Sequence, residues 1–163
     1  MNKEDVQGLF FWQSSLIESS NPVWESVLKD GHVIGSHAHS HPELPKLSIE
    51  EQRIELSQSK TILESVIGEK VNLFRPPFGL YNEDTVTLAN ELGLQIVLWQ
   101  VASWDWMHEK DPDMILHNVE TYTNPGDLIL LHELQQTVHI LPELIRRLKA
   151  KGYEFAKPHG TLF

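Results

Sequence analysis

A chain of 163 residues with 40% apolar and 22% charged side chains has the length and composition of one soluble globular domain with a real core. Its 23 acidic against 13 basic residues, a formal charge of −10, argue against a nucleic-acid partner, which requires a basic face. No apolar run reaches the ~18 residues of a membrane span, residues 1–7 lack a signal-peptide layout, and the absence of cysteine excludes disulfides and thiolate metal sites while leaving the compartment open.

In chain order, residues 8–12 (GLFFW) read as a buried strand. Asn21-Pro22 opens a helix through Lys29, with Pro22 in its first turn, and Asp30-Gly31 ends it. A short strand at 32–34 follows. Ser48, with Glu51 three residues on as a capping box, starts a long helix that Gly68 closes; Ile54, Ile62, Leu63 and Val66 mark its apolar face. Next come a strand at 72–74, a helix at 82–92 ended by Gly93, and a strand at 94–98. Asp111-Pro112 opens a further helix. A strand at 128–131, a helix at 137–151 ended by Gly152 and a strand at 153–156 complete the chain. Six strands alternating with helices predict a parallel sheet covered by helices. The two longest predicted loops, 39–46 and 99–110, both follow strands. In such sheets functional residues gather beyond the carboxyl ends of the strands.

Four segments hold candidate chemistry. The chain has nine histidines, four of them within residues 32–41. In residues 35–42 (GSHAHSHP), His37 and His41 stand four apart, the spacing of helical zinc sites, and a helix start or turn at the strand end suits them. A surface histidine cluster is the other reading, and the segment lacks the third protein ligand a catalytic zinc needs. In Phe74-Arg75-Pro76-Pro77-Phe78-Gly79 the prolines fix the backbone and hold Arg75 at a strand end. There its fork can orient a carboxylate, or it is solvated on a rigid turn. Residues 99–106 (WQVASWDW) set Asp105 among three tryptophans, which reads as a pocket wall holding one acid or as plain core. Residues 126–133 (GDLILLHE) end an apolar strand in His132, a general acid or base, or else a capped or solvated histidine.

Taken together and in this order, the four segments resemble the polysaccharide deacetylase family, carbohydrate esterase family 4 or NodB homology domain, over about residues 8–156. The resemblance implies a single domain over residues 1–163 with an α/β fold, an incomplete (β/α) barrel of about six parallel strands. It implies a divalent metal, usually zinc, held by one Asp and two His. His37 and His41 match the two histidines. By the same resemblance Arg75 matches the arginine that tethers the base aspartate, and Asp105 the acid that braces that arginine within salt-bridge reach. Phe78 stands where a backbone N–H helps bind the oxyanion. Trp106 lines and Leu130 closes the acetyl pocket, and His132 protonates the leaving amine. The implied reaction is metal-dependent hydrolysis of N-acetyl groups from an N-acetylated glycan, of chitin-oligomer or peptidoglycan type, releasing acetate and a free amine.

One family motif is missing. The strand ending in Phe-Asp-Asp-Gly supplies the base and the third ligand, and this sequence contains no Asp-Asp pair. The motif belongs one strand and one helix before the segment that residues 8–12 match, so the expectation is a domain truncated at its amino end. Asp5 precedes its strand and is at the wrong end to substitute. Glu18 follows the strand and is at the right end, without a family precedent. Gln100 and Ala102 also depart from a more acidic pattern. Three readings follow: a truncated active deacetylase, an inactive glycan-binding or scaffold member, or a site completed by a partner chain. A small-molecule amidohydrolase is the alternative enzyme. The family's cell-wall enzymes are generally exported, and this sequence shows no export signal.

Overall fold

The computed structural model describes residues 4–17 and 23–158. They form two compact units, one built on Gln7–Leu98 and the other on Trp99–Ala156 together with residues 4–6. Asn21 and Pro22, the predicted opening of the first helix, lie outside the described residues, as does Glu18.

In the amino-terminal unit, β1 (Leu9–Trp12), β2 (Val33–Ser36), β3 (Leu73–Phe74) and β4 (Gln95–Ile96) form one sheet in that order, with every pairing parallel. Helices α1 (Val23–Lys29), α2 (Ile49–Ile67) and α3 (Glu83–Glu91) connect them. Local chemistry sets the helix ends. Ser48 and Glu51 form the reciprocal capping box of α2, and Gly68 closes it in the left-handed region at φ 71°. Asn82 caps α3 through the Thr85 N–H. The sheet and α2 bury Ile34, Leu56, Leu63, Phe74 and Leu88 in one cluster. Of the predicted α2 face, Leu63 is buried, whereas Ile54 is turned to solvent.

In the carboxyl-terminal unit, β5 (Val101–Ala102) pairs with β6 (Ile129–Leu130), again in parallel, and α4 (Pro112–Tyr122) and α5 (Gln135–Ala150) pack over a core of Ile115, Val119, Leu144 and Leu148. Two expectations need correction here. The predicted loop at 99–110 contains β5, a strand too short to show a period. The predicted strand at 153–156 is not one. Tyr153 and Phe155 alternate with exposed neighbours and pack on the core, and the Tyr153 hydroxyl donates to the Thr123 carbonyl, but no ladder forms there. Alternation reports which side chains are covered, and covering them requires no partner strand. Among the described residues no helix is long and apolar enough to cross a membrane.

Candidate functional site

Strand register decides what meets what in the amino-terminal unit. Ser36 pairs with Phe74, and Phe74 with Ile96, so His37, Arg75 and Val97 follow the strands side by side. The His37 ring Nδ1 lies 2.6 Å from the Arg75 carbonyl oxygen. A carbonyl can only accept, so Nδ1 holds the proton and the lone pair is on Nε2, the atom a metal takes. The His37 and His41 ring centroids are 4.8 Å apart. Two imidazoles on one tetrahedral zinc, with Zn–N near ~2.0 Å, set their centroids about 5 Å apart. The separation of the two ring centres is of that size. Among the described residues no group of three or more His, Cys, Asp or Glu could hold a metal.

Of the two backbones expected for the segment, a helix start or a turn at the strand end, the helix start is not present. The segment after β2 is a loop, and Ala38 and His41 sit at φ 65° and 64°. Such values are rare for residues other than glycine and cluster at functional sites. Neighbouring main chain holds the loop. The His37 N–H donates to the Trp12 carbonyl, and the Ser14 and Ser15 N–H groups donate to Ala38 and His39. Phe78, at φ 59° and largely exposed, sets its ring 4.7 Å from that of His41.

Arg75 is buried. Its Nε donates to the Val97 carbonyl at 3.1 Å and an Nη to the Leu98 carbonyl at 2.9 Å, while its guanidinium carbon stands 4.2 Å from the centre of the Phe11 ring. Gly35 makes room for that ring: a Cβ there would come within 2.7 Å of it. Burial pushes the guanidinium pKa down to about 10, which leaves it charged at neutral pH.

In the carboxyl-terminal unit the paired strands β5 and β6 deliver Asp105 and His132 just past their ends. Asp105 is fully buried, and one carboxylate takes three donors. The His132 N–H reaches one oxygen at 2.6 Å, the Thr137 hydroxyl the same oxygen at 2.7 Å, and the His132 Nδ1 the other at 2.7 Å. Burial by itself raises the Asp105 carboxyl pKa; the His132 ring, the His132 N–H and the Thr137 hydroxyl outweigh it and hold the group below the ordinary carboxylate range. The ionised acid can only accept, so Nδ1 of His132 is the protonated donor, and Nε2 is the ring nitrogen that the carboxylate does not take. The Trp106 ring lies 5.1 Å from those of His132 and Trp104, and Leu130 is buried on β6. Trp104 is a further non-glycine residue in the left-handed region, at φ 58°.

Sequence reasoning missed the Asp105–His132 pair and its third member, Thr137. Two acid-base residues each lying shortly after an apolar strand were the available signal. It also missed Glu55 of α2, whose carboxylate accepts from the His39 N–H, the Ser40 N–H and the Ser40 hydroxyl.

The sequence profile of the family described as "Polysaccharide deacetylase" matches residues 1–97. The chain is 32% identical over 160 residues to the peptidoglycan-N-acetylglucosamine deacetylase of Bacillus cereus, covering 95% of this chain and 58% of that one. Among solved structures, the Bc1960 peptidoglycan N-acetylglucosamine deacetylase, in complex with 4-naphthalen-1-yl-N-oxidanyl-benzamide, superposes with a TM-score of 0.88 at 33% identity, over 94% of this chain and 74% of that one. BA3943, a CE4 family pseudoenzyme from Bacillus anthracis, also gives 0.88, at 27% identity over 94% and 54% of the two chains. The chain spans about half the length of the curated relatives it matches, 48% in the case of the Bacillus subtilis protein YlxY. A profile match over more than half of its residues, with solved relatives superposing over nearly all of it, shows that the chain belongs to the polysaccharide deacetylase family.

Proposed function

We propose that the chain supplies two metal ligands and the proton donor for hydrolysis of N-acetyl groups on an N-acetylated glycan of peptidoglycan or chitin type. The observation that carries this reading is the His37–His41 ring pair, with His37 fixed in the tautomer that presents Nε2. Relatives named as peptidoglycan N-acetylglucosamine and N-acetylmuramic acid deacetylases support the substrate class. The N-hydroxyamide bound to one solved relative is a chemical group that chelates divalent metals, which supports a metal here.

His37 and His41 would hold the ion, zinc by the family resemblance. Bound there, it would supply Lewis-acid polarisation of a water and of the acetamide carbonyl. His132 gives its Nε2 proton to the departing amine, and Asp105 fixes the ring in the orientation that frees that atom for the task. Trp106 and Leu130 form the acetyl pocket, and the Phe78 N–H meets the oxyanion. Arg75 would tether a base aspartate supplied from elsewhere. The sequence has no Asp-Asp pair, so the base is the missing part. A positioned base is worth about 10²–10⁴ in rate.

The test is acetate release from N-acetylglucosamine oligomers and from peptidoglycan, with zinc or cobalt added. The 163-residue chain is compared with a form extended at its amino end by a strand ending in Asp-Asp-Gly. The expected result is turnover by the extended form, abolished by His132→Ala, and little or none by the chain alone. Full activity from the chain alone would show that another carboxylate is the base, with Glu18 the first to substitute. A second reading, a catalytically silent glycan binder, is favoured by one observation: a structure superposing at a TM-score of 0.88 is a family pseudoenzyme. A BA3943 mutant with restored enzymatic activity superposes equally well, at a TM-score of 0.88. The silent reading predicts oligosaccharide binding with no turnover from either form.

A further inference from the structure

We infer that Glu55 is a positioning residue for the histidine loop: from α2 it clamps the main chain between His37 and His41 and so sets the two rings for a metal. The inference rests on the metal reading proposed above. Its basis is how completely the short loop is fastened. One Glu55 oxygen accepts from the His39 N–H at 2.9 Å and the Ser40 N–H at 2.8 Å, and the other accepts from the Ser40 hydroxyl at 2.6 Å. One helical turn on, Ser59 shares a hydrogen bond with Ser36 at 2.8 Å, and Ser36 in turn accepts from the Ala38 N–H. Positions 55 and 59 are four apart and lie on one face of α2. That face therefore holds the N–H groups of residues 39 and 40 directly and that of residue 38 through the Ser36 hydroxyl, all between positions 37 and 41.

The clamp answers a physical need. Ala38 and His41 occupy the left-handed region, which is strained for any residue but glycine. A free loop would relax to extended or right-handed values and part the rings. A carboxylate accepting three hydrogen bonds, two of them from main chain, opposes that relaxation, since bonds to an ionised acceptor are about twice as strong as neutral ones. Nothing in the arrangement needs Glu55 to touch the metal.

The test is zinc titration of the 163-residue chain, followed by the ring proton resonances of His37 and His41, beside amide hydrogen exchange at His39 and Ser40. Glu55→Ala is expected to weaken zinc binding by about tenfold to a hundredfold, the usual effect of losing an outer-shell partner. It should also speed exchange at both amides. Glu55→Gln is the rescue: its carbonyl oxygen accepts both N–H groups and its amide donates to the Ser40 hydroxyl, so zinc affinity stays within about threefold of the parent. Ser40→Ala, which removes one bond of the three, should fall between. Glu64→Ala is the control, because Glu64 also accepts a main-chain N–H from α2, that of Val71, away from the loop. It should leave zinc affinity within about twofold, as distant sites act independently. Unchanged zinc affinity and unchanged exchange in Glu55→Ala would overturn the inference, as would equal losses from Glu55→Ala and Glu64→Ala. If His37→Ala itself leaves zinc binding unaltered, the metal reading fails instead. The exchange rates at His39 and Ser40 then decide whether Glu55 is a clamp.

Discussion

The two units fasten their candidate histidines in opposite ways. In the amino-terminal unit the rings of His37 and His41 touch each other, His41 also meets Phe78, and the loop beneath them is fixed through its main chain. The Glu55 bonds that fix the loop go to its main chain and to Ser40, and not to the two rings. In the carboxyl-terminal unit one buried carboxylate does both jobs: Asp105 orients His132 by its ring and anchors the same residue by its N–H, with the first turn of α5 tied in through Thr137. A substitution can therefore separate function from stability in the first unit and cannot in the second.

The largest expected effect tests the second half of that contrast. Asp105→Ala strands the buried Thr137 hydroxyl and the His132 N–H, and unsatisfied donors cost about 1–3 kcal/mol each, so a loss on the order of 3 kcal/mol is expected. Urea unfolding measures it; a loss below about 1 kcal/mol would mean that the carboxylate is not structural. The same group predicts a pH effect. Its folded pKa lies below the unfolded one, near ~3.9, so its contribution is fully present above that value and is lost as pH falls through the lower folded value. Unfolding midpoints measured down the acid range should fall more steeply for the parent than for Asp105→Asn.

Smaller in free energy is the zinc effect. His37→Ala and His41→Ala should each weaken zinc binding by about a hundredfold or more, beyond what outer-shell losses cause. Stability should change by no more than about 1 kcal/mol. A titration in which only one variant loses affinity would mean that the rings do not share an ion. The smallest effect concerns what the units have in common, a non-glycine residue at positive φ beside each set of histidines. At Phe78 and at Trp104 the glycine variant should be more stable than the alanine variant by about 1 kcal/mol, the reverse of the usual order. Urea midpoints of the four variants check it, and alanine above glycine at either position would show that the strain is not there.

Much of the scaffold was legible because local chemistry states it. Ser48 with Glu51, Gly68 and Asn82 mark helix ends through hydrogen bonds that span only a few residues, and Pro112 marks one through its fixed φ. What stayed hidden depends on register. Asp105 and His132 are 27 residues apart and meet only because Ala102 pairs with Leu130. The histidine spacing left a helix start and a turn open, and only the structure chooses between them. Neither Ala38 nor His41 is a glycine, so nothing in the residue types announces the left-handed turns that bring the rings together. Glu55 carries no local signal, since the loop it grips is 15 and 16 residues away in sequence.

The threefold grip of Asp105 also bears on how such a domain ages. A lineage released from catalysis is filtered for folding alone, and most substitutions that survive are those that leave the core intact. His37 and His41 are then free to drift, because the atoms that would serve a metal bear little of the fold. Asp105 is not free, and His132 keeps its backbone bond whatever its side chain becomes. Decay should thus begin at the metal and leave the buried acid behind as a relic, so a surviving Asp105 in a distant descendant attests to a fold still under selection and says nothing about whether it still cleaves amides.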